Sequence, residues 1–164
     1  MTVIWTQNGI VEDDPWTSQE TGAEAPKLLP LAEALEHAQD NAPFGVVLQP
    51  ADDARALAPI LESVAIVALT FPAFSDGRGF SQAMLLRQRL GYKGELRAVG
   101  TVLLDQVPLM LRTGIDSFEV HHAPTIERLI EKRLPGIDLH YQPAADKTDA
   151  TSSYSWRRTA ILNG

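Results

Sequence analysis

The apolar run from Val64 to Leu69 constrains the fold more than any other stretch of this sequence. All of its residues are apolar, which is typical of a strand covered on both faces in a parallel sheet, whereas a strand with one wet face would alternate. Parallel neighbours need long crossover connections, most often helices. The run therefore predicts an α/β fold with its sheet centred on residues 64–69.

Strand-like and helix-like segments alternate on both sides of this run. We predict further strands at 44–48, 95–100, 116–120 and 137–141, and helices over 28–38, 52–61, 80–90, 105–113 and from about 123. Pro59 lies inside the second helix and predicts a kink or an early stop there. About five βα repeats with a mainly parallel sheet follow from this spacing. They fit either a flavodoxin-like open sheet or part of a TIM-like barrel that another subunit of a homo-oligomer completes.

The repeats belong to a predicted single α/β domain over residues 1–142. An N-terminal β-hairpin is predicted over 1–11, because Asn8-Gly9 between short apolar runs is a strong hairpin signal. Residues 12–30 are polar and rich in turn residues, which predicts an irregular connection. Residues 143–164 read as a flexible or interaction tail, since small polar residues precede the aromatic and arginine residues of 154–158.

Composition excludes several classes of function. The 164 residues include no cysteine, which excludes disulfides, thiolate nucleophiles and an iron–sulfur cluster held by this chain alone. A cofactor, whose identity the sequence leaves unknown, would therefore bind noncovalently. The formal net charge of −7 argues against nucleic acid or anionic lipid as a partner. No apolar run is long enough to span a membrane and no export signal opens the chain, so we expect a cytoplasmic protein.

The loop Ser75-Asp76-Gly77-Arg78-Gly79 is the main candidate site. Right-handed crossovers bring all strand-to-helix loops to one edge of the sheet, where open α/β sheets and barrels bind ligands. The glycines let the backbone approach a ligand, the next helix N-terminus favours an anion, and Arg78 can bind a carboxylate, sulfite or phosphate bidentately. The alternative is a plain turn in which Asp76 caps the helix and pairs with Arg78.

Three further residues are candidates for the same ligand. Thr101 and His121 each follow a predicted strand and so belong to the same edge. Arg97 is either a second anion ligand or the partner of Glu95, which faces the same side two residues earlier. His121 and His122 point to opposite faces of an extended segment, so we predict no metal site.

Several motifs together carry a family resemblance. They are Phe74 to Ser81, Leu86-Arg87, Arg89 to Gly91, Gly94 to Gly100, Asp105-Gln106 and Gly114 to Glu119. This set resembles a bacterial family, the domain of unknown function numbered 934, which is often labelled an oxidoreductase of sulfite reduction. The resemblance covers about residues 48–119.

The resemblance implies a role in assimilatory sulfite reduction. Genes of the family typically lie beside the gene of the sirohaem sulfite reductase, so that enzyme is the implied partner. The family supplies no established catalytic residues. It commonly has Asp where this chain has Thr101 and Cys where it has Thr113, so neither an essential carboxylate nor an essential thiol can lie at these positions here.

Three functions therefore compete. The first is an accessory or electron-delivery component of sulfite reduction, and the missing flavin fingerprint and cysteines argue against its carrying the redox centre itself. The second is a small-molecule enzyme with a small anion bound at the SDGRG loop. The third is a non-catalytic binding module for the reductase. The sequence alone does not decide whether the chain is an enzyme.

Overall fold

Seven strands and four α-helices form the described part of the chain. The structure is a computed structural model, which describes residues 2–16, 27–37, 43–131 and 133–135. The strands are β1 Val3–Thr6, β2 Gly9–Val11, β3 Leu28–Pro30, β4 Phe44–Leu48, β5 Val64–Phe71, β6 Glu95–Gly100 and β7 Ser117–Val120. The helices are α1 Leu31–His37, α2 Arg78–Met84, α3 Val107–Arg112 and α4 Ala123–Ile130. Two 3₁₀ turns, Ala54–Leu57 and Leu61–Ser63, precede β5, and a π-helical turn, Leu85–Arg89, extends α2.

The strand order determines where the helices lie. It runs β2-β1-β7-β6-β5-β4-β3, with β3 to β7 parallel and the hairpin strand β1 antiparallel to β7. The five parallel strands are adjacent in chain order, so right-handed crossovers all step the same way and place their helices on one face. A flavodoxin-like sheet would instead reverse its strand order. The structure confirms the predicted α/β class, the mainly parallel open sheet and the N-terminal hairpin. The order of the parallel strands is that of part of a barrel whose sheet is not closed.

Alternate side chains of the strands build the core against the helices, and we call this side of the sheet the helix face. From the strands it includes Phe44 of β4, Leu69 of β5, Leu96 of β6 and Phe118 of β7, each almost completely buried. Helix residues such as Met110 join the same apolar cluster. Burial of this cluster is the main source of stability.

The other side of the sheet, which we call the open face, carries the intervening side chains. They include Ile66 and Ala68, which are buried although they lie outside the main cluster. Residues 12–16, which we call the strap, lie on this face. The strap contacts β6 through Arg97 and β4 through Trp16, whose ring lies 3.2 Å from where a Cβ on Gly45 would be. The strap therefore covers the part of the open face between β4 and β6.

Two predicted elements differ in the structure. The helix predicted from Leu28 begins only at Leu31, because residues 28–30 pair with β4 as the edge strand β3. The prediction that 12–30 is irregular throughout is therefore wrong for 28–30. The helix predicted over 52–61 forms only the two short 3₁₀ turns, since Pro59 has no N–H to continue it. Asp53 does cap the first turn, as its carboxylate accepts from the Arg55 N–H.

Other predictions are met closely or lie outside the described residues. The hairpin pairs Thr6 with Gly9, so its turn is one residue earlier than the predicted Asn8-Gly9. Gly91 and Gly114 end their helices with positive φ, as predicted. The strand predicted at 137–141 and the tail 143–164 fall outside the described ranges. Within those ranges, no helix has the length and apolar character needed to cross a bilayer.

Gly100 provides a test of the close packing between β6 and β5. Its φ is +93°, and a Cβ there would lie 2.6 Å from the Phe71 carbonyl oxygen, whereas Gly91 has φ +67° and open space around it. We expect Gly100→Ala to lower the free energy of unfolding by at least about 2 kcal/mol, and Gly91→Ala by only about 1 kcal/mol. Urea denaturation measures both losses. Equal losses would contradict the collision at Gly100.

Candidate functional site

The loop over residues 72–77 joins β5 to α2 at the carboxyl edge of the sheet. The loop after β6 holds it in place. The Thr101 N–H donates to the Phe71 carbonyl at 2.6 Å, the Thr101 hydroxyl donates to the Pro72 carbonyl at 3.2 Å, and Gln106 Nε2 donates to the Phe74 carbonyl at 3.1 Å. The structure thus places Thr101 beside the SDGRG loop, and the two loops form one hydrogen-bonded unit.

Asp76 and Arg78 bind each other within this loop. Arg78 Nε donates to one Asp76 carboxylate oxygen at 3.0 Å and Nη2 donates to the other at 2.7 Å. This side-chain hydrogen bond lowers the pKa of Asp76 and raises the pKa of Arg78. The Arg78 side chain is 62% exposed. The geometry is that of the turn alternative, because Asp76 occupies the side of the guanidinium formed by Nε and Nη2, and an anion that binds this side would have to replace Asp76.

The two loop glycines differ in what surrounds them. A Cβ on Gly79 would lie 2.6 Å from the Phe71 ring, whereas the nearest atom to a Cβ on Gly77 is 3.8 Å away on Phe80. Gly79 is also buried, and Phe71 packs edge-on against Phe80. Gly79 therefore allows α2 to approach β5 closely. The space beside its backbone is filled by the ring of Phe71, not by a ligand. Ser75, at the start of the motif, is exposed.

Arg97 lies on the open face, apart from the loop. Its Nη1 and Nη2 donate to the two carboxylate oxygens of Asp14 at 2.8 and 2.6 Å, and Nη2 also donates to Glu95 at 2.8 Å. Nε donates to the Ser117 hydroxyl at 3.1 Å, and that hydroxyl donates in turn to Glu95. The predicted Glu95–Arg97 pair is confirmed. Burial alone would lower the pKa of Arg97, but the hydrogen bonds to Asp14 and Glu95 raise it.

A cavity of about 900 Å³ opens beside Arg97 at the amino ends of β6 and β7. Its walls come from the turn of the hairpin, the strap and the segments 92–95 and 114–117. Both signs of charge line it, including Lys93, Arg97, Asp14 and Asp116. This cavity lies at the edge of the sheet opposite to the one where we predicted the ligand.

Arg87 builds one wall of the cavity. Its guanidinium donates to the carbonyl oxygens of Gly114, Tyr92 and Gly94 at 2.9, 2.7 and 2.8 Å, and it also contacts the Asp116 carboxylate. The π-helical turn of residues 85–89 carries this side chain. Arg87 therefore ties the end of α2 to the segments that enter β6 and β7, a role that its position in a helix C-terminus did not predict.

The histidines contact different elements. His121 Nδ1 is hydrogen-bonded to the Thr2 hydroxyl at 2.9 Å and Nε2 to Glu119 at 3.0 Å. His122 Nδ1 is hydrogen-bonded to the Thr125 hydroxyl at 2.8 Å. Among the residues that the structure describes, no group of three His, Asp or Glu side chains is arranged to hold a metal ion.

The eight predicted site residues therefore do not meet in one place. In the structure Thr101 bonds to Pro72, at the start of the loop that leads into the SDGRG motif. Arg97 lies on the open face, and His121 lies at the end of β7 beside β1. Sequence reasoning missed Asp14, because 83 residues separate it from Arg97. Nothing in the turn-rich stretch around Asp14 indicates that this residue pairs with Arg97.

Gly79 and Gly77 give a test of the packing explanation. We expect Gly79→Ala to lower the free energy of unfolding by about 1–3 kcal/mol, because its Cβ would overpack the Phe71 ring. Gly77→Ala should change that free energy by less than about 0.5 kcal/mol. Chemical denaturation of both variants measures the difference. A Gly79 variant as stable as the wild type would contradict the packing role.

Asp76 gives a prediction about pH. Since Arg78 holds the pKa of Asp76 below its ordinary value of 3.8, the carboxylate stabilises the fold above that pH, and this contribution is lost as the pH falls through the folded-state pKa. We expect Asp76→Asn to lower the Tm at pH 7, and the difference from wild type to shrink as the pH falls below 3.8. Thermal denaturation across this range measures it. A difference that does not change with pH would contradict the ion pair.

One family model matches the chain, and its description is a bacterial protein of unknown function, DUF934. The match covers residues 45–152, which is more than half of the 164 residues and includes β5 to β7, all of β4 but its first residue, and the SDGRG loop. The strap and Asp14 lie outside the matched segment. No curated protein and no solved structure gave a significant match. The chain belongs to this family of bacterial proteins, DUF934.

Proposed function

We propose that this protein is an accessory component of assimilatory sulfite reduction and acts with the sirohaem sulfite reductase. Membership of the DUF934 family, through the match over residues 45–152, is the observation that carries this proposal. The resemblance to that family is what implies the reductase as partner.

The chemistry of the chain favours an accessory role over a redox role of its own. The chain contains no cysteine, so it provides no thiolate for an iron–sulfur cluster or a thiol-based electron transfer. Arg78, Arg87 and Arg97, which are the arginines of the predicted loop and of the cavity, each contact a carboxylate. Without a thiolate or iron–sulfur centre of its own, this chain would support the reductase by binding it.

The loop over residues 72–77 is the contact surface that we propose for the reductase. Phe74 is 58% exposed, although the backbone around it is held by Thr101 and Gln106. Exposed aromatic side chains dominate binding energy at protein interfaces, and a rigid loop loses less entropy when it binds. Phe74 on this loop is therefore suited to enter an apolar pocket of a partner protein.

Growth of a deletion strain tests the pathway. Deletion of the gene should impair growth on sulfate or sulfite as sulfur source and spare growth on cysteine, because only the first two need sulfite reduction. Complementation with the wild-type gene controls for effects on neighbouring genes. Equal growth on all three sulfur sources would contradict the role in sulfite reduction.

A matched pair of variants tests the contact surface. Phe74→Ala should weaken binding to the organism's own sulfite reductase about tenfold or more, as expected for a hot-spot aromatic. Ile130→Ala on α4 is the control, since Ile130 is 57% exposed and lies on a different element. Binding is measured by biolayer interferometry with purified proteins. Equal binding by both variants would place the contact elsewhere, and no binding by the wild type would contradict the partner.

A further inference from the structure

The Asp14–Arg97 ion pair joins the strap to the middle of the open face. The two side chains are 7% and 2% exposed, and both carboxylate oxygens meet the guanidinium at 2.8 and 2.6 Å. The flanking strap residues Glu12, Asp13 and Pro15 are exposed. Asp14 is therefore the strap residue that carries charge into the interior.

The two halves of this pair are held differently. Glu95 and Ser117, which belong to β6 and β7, hold the Arg97 guanidinium in the sheet through bonds that do not involve the strap. Asp14 comes from a segment that lies over the sheet and forms no strand. The guanidinium of Arg97 is thus held in place by the sheet alone, and the carboxylate that binds its Nη1 and Nη2 comes from the strap.

Stability alone is a weak reason for such a pair. The cost of removing both charges from water often exceeds their attraction, and apolar residues of similar size are commonly as stabilising. A bidentate guanidinium fork is, by contrast, a specific receptor for carboxylates and for phosphorus or sulfur oxyanions. The geometry therefore fits recognition better than it fits stabilisation.

The fork also opens onto the cavity described above. Asp14 and Arg97 both line it, and its volume of about 900 Å³ lies in the range of small-molecule sites. Lys93 lines the same cavity, is exposed, and has no carboxylate partner among the described residues. A ligand in this cavity would find a second cation in its wall.

We propose that Arg97 is the oxyanion-binding group of a small-molecule site in this cavity, and that Asp14 occupies the site as an internal carboxylate. An external ligand with a carboxylate, sulfur or phosphorus oxyanion replaces Asp14 on the fork and releases the strap from the open face. This inference is independent of the proposed role in sulfite reduction.

The hydrogen-bond donors of Arg97 that Asp14 would leave favour an oxyanion as the ligand. When Asp14 leaves, Arg97 keeps Glu95 as its charge partner and Ser117 as an acceptor, but the two hydrogen bonds from Nη1 and Nη2 to Asp14 are lost. An oxyanion restores the lost negative charge and both hydrogen bonds. A ligand without such oxygens would leave two guanidinium donors buried without acceptors, which is unfavourable.

Isosteric variants of the strap test this proposal. Asp14→Asn keeps the shape of the side chain but removes the charge that competes for Arg97. Asp13→Asn is the matched control, because it makes the same change of net charge one residue away on an exposed side chain. The probes are sodium sulfate, sodium phosphate and sodium acetate, with affinities measured by isothermal titration calorimetry at constant ionic strength.

The position of the strap is followed separately in the wild-type chain. The protein is labelled with 5-fluorotryptophan, and Trp16→Phe assigns the ¹⁹F resonance of Trp16. This measurement needs no variant of the ion pair, so it applies even if Asp14→Asn is poorly folded.

The proposal predicts that Asp14→Asn binds at least one of the three probes about tenfold or more tightly than the wild type, because the internal competitor is gone. Asp13→Asn should bind like the wild type. Saturating anion should shift the Trp16 resonance of the wild type. Equal affinities for Asp14→Asn and Asp13→Asn, binding of no probe, or an unmoved Trp16 resonance in the anion-saturated wild type would each overturn it.

Discussion

The parallel pairing of β5 with both of its neighbours is the interaction on which the rest of the structure depends. β4, β5 and β6 lie side by side in chain order, and the side chains of β5 are buried on both faces at Ile66 and Val67. Each parallel strand therefore pairs with the strand that precedes it in the chain. Because right-handed crossovers then put the helices on one face, the other face must be covered by a different part of the chain.

That need explains the position of the strap. Ile66 and Ala68 on the open face are buried without a helix of the parallel repeats above them, and Trp16 packs where Gly45 leaves space. The same face carries Arg97 near its centre, which requires a carboxylate if it is to be buried. Glu95 and Asp14 meet that requirement together, so the strap contributes both an apolar side chain and a carboxylate to this face.

The two edges of the sheet have different chemistry. At the carboxyl edge, hydrogen bonds from Thr101 and Gln106 hold a rigid exposed loop whose charges, Asp76 and Arg78, satisfy each other. Such a surface is suited to contact with another protein. At the amino edge, charged side chains line a cavity, and two of them, Asp14 and Arg97, are buried. Small molecules are recognised in concave sites with a few fixed polar groups, so the proposed reductase contact and the proposed oxyanion site occupy separate parts of the molecule.

The sequence by itself determined the class of the fold and most of its elements. The apolar run of β5, the spacing of the repeats, the hairpin and the glycines that end α3 and the π-helical turn are local properties, and local propensity is readable from neighbouring residues. The pairing of Glu95 with Arg97 was readable too, because residues two apart in a strand face the same side. The sequence also indicated the alternative in which Asp76 and Arg78 pair in a turn.

Only the tertiary structure decided the features that depend on distant residues. Leu28 joins a strand because β4 offers it a hydrogen-bonding edge, which outweighs the helical spacing of its leucines. Gly79 faces the Phe71 ring, and Arg87 reaches carbonyl groups up to 27 residues away. The partner of Arg97 is 83 residues distant. Contacts of this kind arise from the path of the chain across the sheet, and no pattern within a short window of sequence contains that path.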